Sequence, residues 1–232
     1  MTVKAPGALI AAGRNADVYD IGDGRVLRRY RDERPARRVD MEAQVMAHAR
    51  VSGVPVPEVF DVSGADIVME RAAGPTMLDV IGRRPWTVRA QAKLLARLHG
   101  LVHQVPVDGL TLRTPFGDRD REHHVLLHMD LHPQNVILTG TGPVIIDWEG
   151  AARGPAIADV AMTWVVVGFS DVNASRLEAA AVRGVQALFT RSFLRAAGPV
   201  DEEWRRTVIR WRLADPNVLP SEAARLNRQA EA

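Results

Sequence analysis

The stretch His128-Met129-Asp130-Leu131-His132-Pro133-Gln134-Asn135, followed by Val144-Ile145-Ile146-Asp147, carries the chemistry of this chain. A carboxylate, Asp130, is followed five positions on by an amide, Asn135, then by a turn and a second carboxylate, Asp147, ending an apolar strand. Asp130 is a candidate base, because a hydroxyl must lose its proton as it attacks phosphorus. Asn135 and Asp147 are candidate ligands for magnesium, a hard cation that takes a few protein oxygens beside phosphate oxygens and water. Pro133 stiffens the loop between them. Together these groups are what phosphoryl transfer from a nucleotide requires.

Outward from this motif, the chain divides in two. Toward the N-terminus it reads as β-rich. Short strands are expected at Ala8 to Ala12 and Ala16 to Ile21, around a Gly13-Arg14-Asn15 turn, and at Arg25 to Tyr30 after the hairpin turn Gly22-Asp23-Gly24. Pro35 opens a helix from about Ala36 to Val51, ended by Gly53 and Pro55. A second hairpin follows at Val59 to Val62 and Ile67 to Glu70, and Ala72-Ala73-Gly74-Pro75 reads as a linker. Beyond it the periodicity is helical. Helices are expected over Thr87 to Val105, Ile157 to Val167, Ser175 to Ala196 (with Ser175 and Glu178 as a capping box), Asp201 to Ala214 and Ser221 to Gln229. The fold class is therefore α+β: a nucleotide-binding lobe over 1–71 built on a small antiparallel sheet, and a mainly helical catalytic lobe over 72–232, hinged near 70–75.

The 232 residues suffice for two such lobes around a substantial core. With 47% hydrophobic and 25% charged residues the composition is that of an ordinary globular protein. A formal charge of +2 argues against a dedicated nucleic-acid or membrane-surface binder. The arginines at 25, 28, 29, 31, 34, 37 and 38 are interleaved with Asp32, Glu33, Asp40 and Glu42, which makes them a solvated charged face. No signal peptide or membrane-spanning run is visible. The lack of cysteine excludes disulfides, a thiol nucleophile and Cys-type zinc sites, and suits the cytoplasm.

The spacing H-x-D-x-x-x-x-N is that of a protein-kinase catalytic loop. The segment Leu127 to Asn135, with Ile146-Asp147-Trp148-Glu149, resembles the aminoglycoside phosphotransferase and choline kinase family. The resemblance is strongest from Leu126 to Ala161. It implies a two-lobed protein-kinase-like fold, and transfer of the γ-phosphate of ATP or GTP to a hydroxyl of a small molecule. It further implies that Asp130 is the base, that Asn135 and Asp147 hold Mg²⁺, and that Asp159 braces the catalytic loop. The backbone from Met69 to Ala72, Glu70 included, would meet the base edge of the nucleotide. Gly13 and Asn15 would form a sparse phosphate loop. A monomer or simple homodimer is expected.

One residue departs from the family pattern. Arg28 falls where a lysine grips the α- and β-phosphates, and the only lysines, Lys4 and Lys93, lie elsewhere. Arginine keeps the charge but presents a planar fork rather than a point charge. Glu42 shares a helical face with Val39, Val45, Met46 and Ala49, and a carboxylate on an apolar face needs a cationic partner. A Glu42–Arg28 pair is predicted. The departure leaves a second reading, a non-catalytic nucleotide-binding protein of the same fold. His99 and His103 have the i, i+4 spacing of a zinc pair but lack the intervening Glu, so they read as packing residues. His123 and His124 are placed in a solvated loop, His128 as an anchor of the catalytic loop, and Trp164, Trp204 and Trp211 in the core.

Overall fold

The computed structural model describes residues 7–13, 15–31, 36–117, 123–170, 176–215 and 218–230. Arg14, the helix start at Pro35, the polar run at 118–122, and the Ser175–Glu178 cap fall outside what is described.

The fold is the expected two-lobed α+β architecture. Strands β1 (Ala8–Ala12), β2 (Ala16–Gly22), β3 (Arg25–Tyr30), β4 (Val59–Ser63) and β5 (Asp66–Glu70) form one antiparallel sheet in the order β1-β2-β3-β5-β4. The tight turn at Gly22-Asp23-Gly24 runs through three successive positive φ values, 83°, 53° and 68°. Alternation on β3 turns Val26, Arg28 and Tyr30 to one face, where all three are buried. Helix α1 (Ala36–Val51) covers that face with Val39, Val45, Met46 and Ala49.

The stretch read as a linker is followed at once by a short helix the sequence reading missed. Helix α2 (Met77–Arg83) is capped by Thr76, whose hydroxyl accepts from Asp79 N–H at 3.0 Å, while the Asp79 carboxylate accepts from Thr76 N–H at 3.0 Å. Helix α3 (Val88–Val102) buries Val88, Leu95, Leu98 and Val102, which share one face at helical spacing. Two small ribbons follow: β6 (Val125–Leu127) with β9 (Ala152–Gly154), and the hairpin β7 (Val136–Thr139) with β8 (Gly142–Ile145). Helices α4 (Ala156–Phe169), α5 (Arg176–Ala197), α6 (Glu202–Leu213) and α7 (Pro220–Ala230) complete the large lobe, with α5 packed on α3 and α6 on α4. Asp201 caps α6 by accepting from Trp204 N–H at 2.8 Å. Among the described residues, no helix is long and apolar enough to cross a membrane.

Candidate active site

Asp130 and Asn135 stand at the two ends of one tight loop. Asn135 closes a 3-10 turn that begins at Pro133, and its amide donates to the Asp130 carbonyl at 2.8 Å and to the Asp130 carboxylate at 3.1 Å. This leaves the amide oxygen as the Asn135 atom able to meet a cation. Asp147 lies two residues past β8 rather than on it, in a left-handed conformation with φ 67° and ψ 64°. Such a conformation is uncommon for a residue with a Cβ and tilts the carboxylate out of the ribbon's alternation.

Beneath the loop lies a buried frame. Asp159, fully buried in the first turn of α4, accepts from the backbone N–H of Met129 at 2.7 Å and of His128 at 3.2 Å. Those bonds hold Met129 at a φ of 68°. His103 Nε2 meets the same carboxylate at 3.1 Å, and His99 Nδ1 lies 3.4 Å from it. Burial would raise the Asp159 carboxyl, but its bonds to His103 and His99 win and hold it well below the usual carboxylate range. The His99–His103 pair thus does more than pack, because it completes the surroundings of Asp159. His128 is also fully buried. Its Nε2 lies 3.1 Å from the Ile146 carbonyl, and its Nδ1 accepts from Asp130 N–H at 3.3 Å. One neutral tautomer, protonated at Nε2, satisfies both contacts. Burial lowers its pKa accordingly.

The predicted Glu42–Arg28 pair forms, and Arg28 also reaches across to the large lobe. Arg28 Nη1 donates to Glu42 at 2.6 Å and Nη2 donates to Asp147 at 2.6 Å, with Glu149 3.9 Å away. Tyr30 donates its hydroxyl to the other Glu42 oxygen. Burial works against the Arg28 charge, but Glu42 and Asp147 more than restore it. Glu42, almost wholly buried, is held above its ordinary value by that burial despite Arg28.

Two cavities meet at these residues. One, of about 320 Å³, is walled by Val18, Val26, Met69, Ile137 and Ile146, and includes Gly13, Asn15, Arg28, Glu70, Ala72 and Asp147. The other, of about 680 Å³, holds Asp130, Asn135 and Asp147 together with Arg113, Trp211 and Arg212. Asn15, Asp147 and Glu149 line both. Glu42 lines neither of them and reaches the site through Arg28. His128 and Asp159 also line neither and sit under the loop.

Several features departed from the sequence reading. Glu149, to which the sequence assigns no role, accepts from Asn15 Nδ2 at 3.2 and 3.3 Å across the cleft. Its position two residues after Asp147 was the available signal. Trp211, expected in the core, lines the larger cavity, whereas Trp164 is buried. His124 is buried rather than solvated, while His123 is exposed.

The sequence matches the phosphotransferase enzyme family over residues 7–124 and 115–206. The chain belongs to that family. It is 27% identical over 194 residues to a probable bifunctional tRNA threonylcarbamoyladenosine biosynthesis protein of Methanoculleus marisnigri, covering 78% of this chain and 32% of that protein. A probable serine/threonine-protein kinase BUD32 homolog of Archaeoglobus fulgidus is 38% identical over 86 residues, 34% of this chain and 43% of that one. The chain thus spans less than half the length of these curated relatives. Among solved structures, a thermostable mutant of aminoglycoside phosphotransferase APH(4)-Ia in ternary complex with AMP-PNP and hygromycin B superposes with a TM-score of 0.65. The match is 16% identical and covers 96% of this chain and 91% of that one, a likeness of fold. The family is one of kinase-like phosphotransferases.

Proposed function

We propose that this protein transfers the γ-phosphoryl group of ATP or GTP to a hydroxyl of a small molecule, with Asp130 as base. The observation that carries this reading is the meeting of the two cavities at Asp147, with Asp130 and Asn135 on the wall of the larger one. The smaller cavity has apolar walls suited to a purine, and the Glu70 carbonyl and Ala72 N–H are the proposed contacts to its edge. Gly13 and Asn15 cover the phosphates, and Arg28, fixed by Glu42, faces them. The larger cavity has the volume of a small-molecule site. Asp130 orients the acceptor hydroxyl and takes its proton, while Asp159 and His128 hold the loop that presents it.

Magnesium fits the residues present. Asn135 offers an amide oxygen, and Asp147 is a partly exposed carboxylate with one oxygen on Arg28. Bound by these two, magnesium neutralises charge on the phosphates.

The test is ADP release with Mg²⁺ across a panel of hydroxylated metabolites and antibiotics. Asp130→Asn should lower kcat by about 10²–10⁴-fold. Full turnover in that variant would rule out the assigned base. A second reading has one observation in its favour. Arg28, in place of lysine, spends both terminal nitrogens on carboxylates, which fits a nucleotide-binding protein without transfer. Nucleotide binding with no transfer to any acceptor would select it.

A further inference from the structure

The larger cavity has a charge inventory that bears on the acceptor. Most of its carboxylates already have partners. Arg212 Nε donates to Glu222 at 2.9 Å and Nη1 to Asp215 at 3.0 Å, so these two carboxylates share one guanidinium. Glu222 is buried. Asp147 faces Arg28, Glu149 receives Asn15, and Asp130 is reserved for the reacting hydroxyl.

Arg113 stands apart on the same wall. Its backbone is pinned, since it bridges to Ala152 and its carbonyl accepts from Arg153 N–H at 2.9 Å. Its side chain lies over the face of Trp211, 5.9 Å from the ring centre, and Nη2 donates to the Gly150 carbonyl at 2.6 Å. Among the described residues no carboxylate lies within ion-pair distance of it. A guanidinium has five N–H donors, and among the described residues this one spends a single donor, on the Gly150 carbonyl. A planar fork held at one edge and flanked by an indole is prepared for two parallel bonds to a carboxylate or phosphate.

We propose that the acceptor is an anionic hydroxy compound, whose carboxylate or phosphate is received by Arg113 while its hydroxyl reaches Asp130. This rests on the phosphoryl-transfer reading above. The carboxylates lining the cavity outnumber its two arginines, so the selection is local: Arg113 is the lining guanidinium with no carboxylate partner among the described residues, and its unspent donors suit an anion.

The probes are hydroxy acids such as glycerate and gluconate, sugar phosphates, the neutral amide or unphosphorylated partner of each, and an amino sugar with several ammonium groups. Each is titrated calorimetrically into the full chain with AMP-PNP and Mg²⁺, then assayed for ADP release with ATP. Anions should bind at least about tenfold more tightly than their neutral partners, the low end for a hydrogen-bonded charge. The carboxylate and phosphate arms tell which group the site takes. Arg113→Gln, which keeps a donor toward Gly150, should erase the preference through KM more than kcat, and Arg113→Lys should recover part of it. Neutral or amino-sugar probes binding as well as anions, binding by none of the probes, or an undiminished preference in Arg113→Gln would each overturn the inference. Anion-selective binding without ADP release would instead fault the transfer reading and leave the recognition intact. ADP release with neutral or cationic acceptors alone would do the reverse.

Discussion

The Asp130 carboxylate is subject to opposed influences. Burial tends to raise its pKa, but the hydrogen bond and charge of His132, with the charge of Arg212, outweigh burial and hold it below the ordinary 3.8. His132 Nε2 lies 3.4 Å from it. In its proposed role as base Asp130 must be ionised, and its depressed pKa ensures this throughout the neutral range. Turnover that depends on it should be present above that pKa and lost as pH falls through it. The acid limb of kcat/KM due to Asp130 should therefore lie below about pH 4, the usual range for a free Asp. His132→Ala removes the principal lowering influence and should shift that limb upward. An unmoved limb in the pH–rate profile would remove His132 from this role. At this scale the sequence was informative where spacing is local. Asp130 and Asn135 share one loop, and Glu42 betrayed itself as a carboxylate on an apolar helical face. Arg113 gave no such signal, because its significance depends on what faces it across the cleft, whereas His132 lies inside the quoted loop, two residues from Asp130.

Among the elements, α4 is tied to the loop of Asp130 through two side chains, Thr163, whose hydroxyl donates to the Leu131 carbonyl at 2.7 Å, and Asp159. Asp159 accepts two backbone N–H groups from that loop and is met by two histidines of the α3 C-terminal region. Asp159→Ala strands two buried donors, and each costs roughly 1–3 kcal/mol. A loss of about 3 kcal/mol at pH 7 is expected from denaturant midpoints. The pH dependence has a definite sign. The folded-state pKa is depressed, so the stabilisation is complete above the unfolded value near 3.8 and fades as pH falls toward the folded one. The gap between wild type and Asp159→Ala should narrow below about pH 4. A gap independent of pH would mean that the ionised carboxylate is not what stabilises the loop. Elements were legible in proportion to their length. Helices α3 and α6 span several turns and show a period, and α4 is a long, almost unbroken apolar run. Strands β6 and β9 have three residues each and cannot show one. Helix α2 was hidden by Gly74-Pro75, which signalled an end, although Thr76 and Asp79 carried a cap signature directly after it.

Across the described residues, the lobes meet through few hydrogen bonds. The backbone supplies Ile145 N–H to the Pro55 carbonyl at 2.7 Å, and His48 Nε2 meets the Pro106 carbonyl at 2.8 Å. Side chains supply Arg28 to Asp147 and Asn15 to Glu149. These last contacts line the junction of the two cavities, where the phosphates and metal would lie. Local periodicity carries no information on such a meeting, which is why the order of the lobes could be read from sequence but the junction could not. A ligand that bridges the junction binds only the assembled molecule, so it must stabilise the fold by mass action. At a hundredfold excess over Kd this amounts to about 2.7 kcal/mol, or a rise in Tm of roughly 5–10 °C for a chain of this size. If Asp147 helps to hold magnesium, part of that rise depends on the metal. Wild type with ATP should melt higher in Mg²⁺ than in EDTA, and Asp147→Asn should lose that difference while keeping the metal-independent part, since the purine cavity is untouched. Asp147→Asn also removes the charged partner of Arg28 and should lower the Tm of the free protein. That separate effect is read from the unliganded melt and subtracted. A variant that keeps the full Mg²⁺-dependent rise would show that the metal is held by other groups, and would leave Asp147 as a tether between lobes alone.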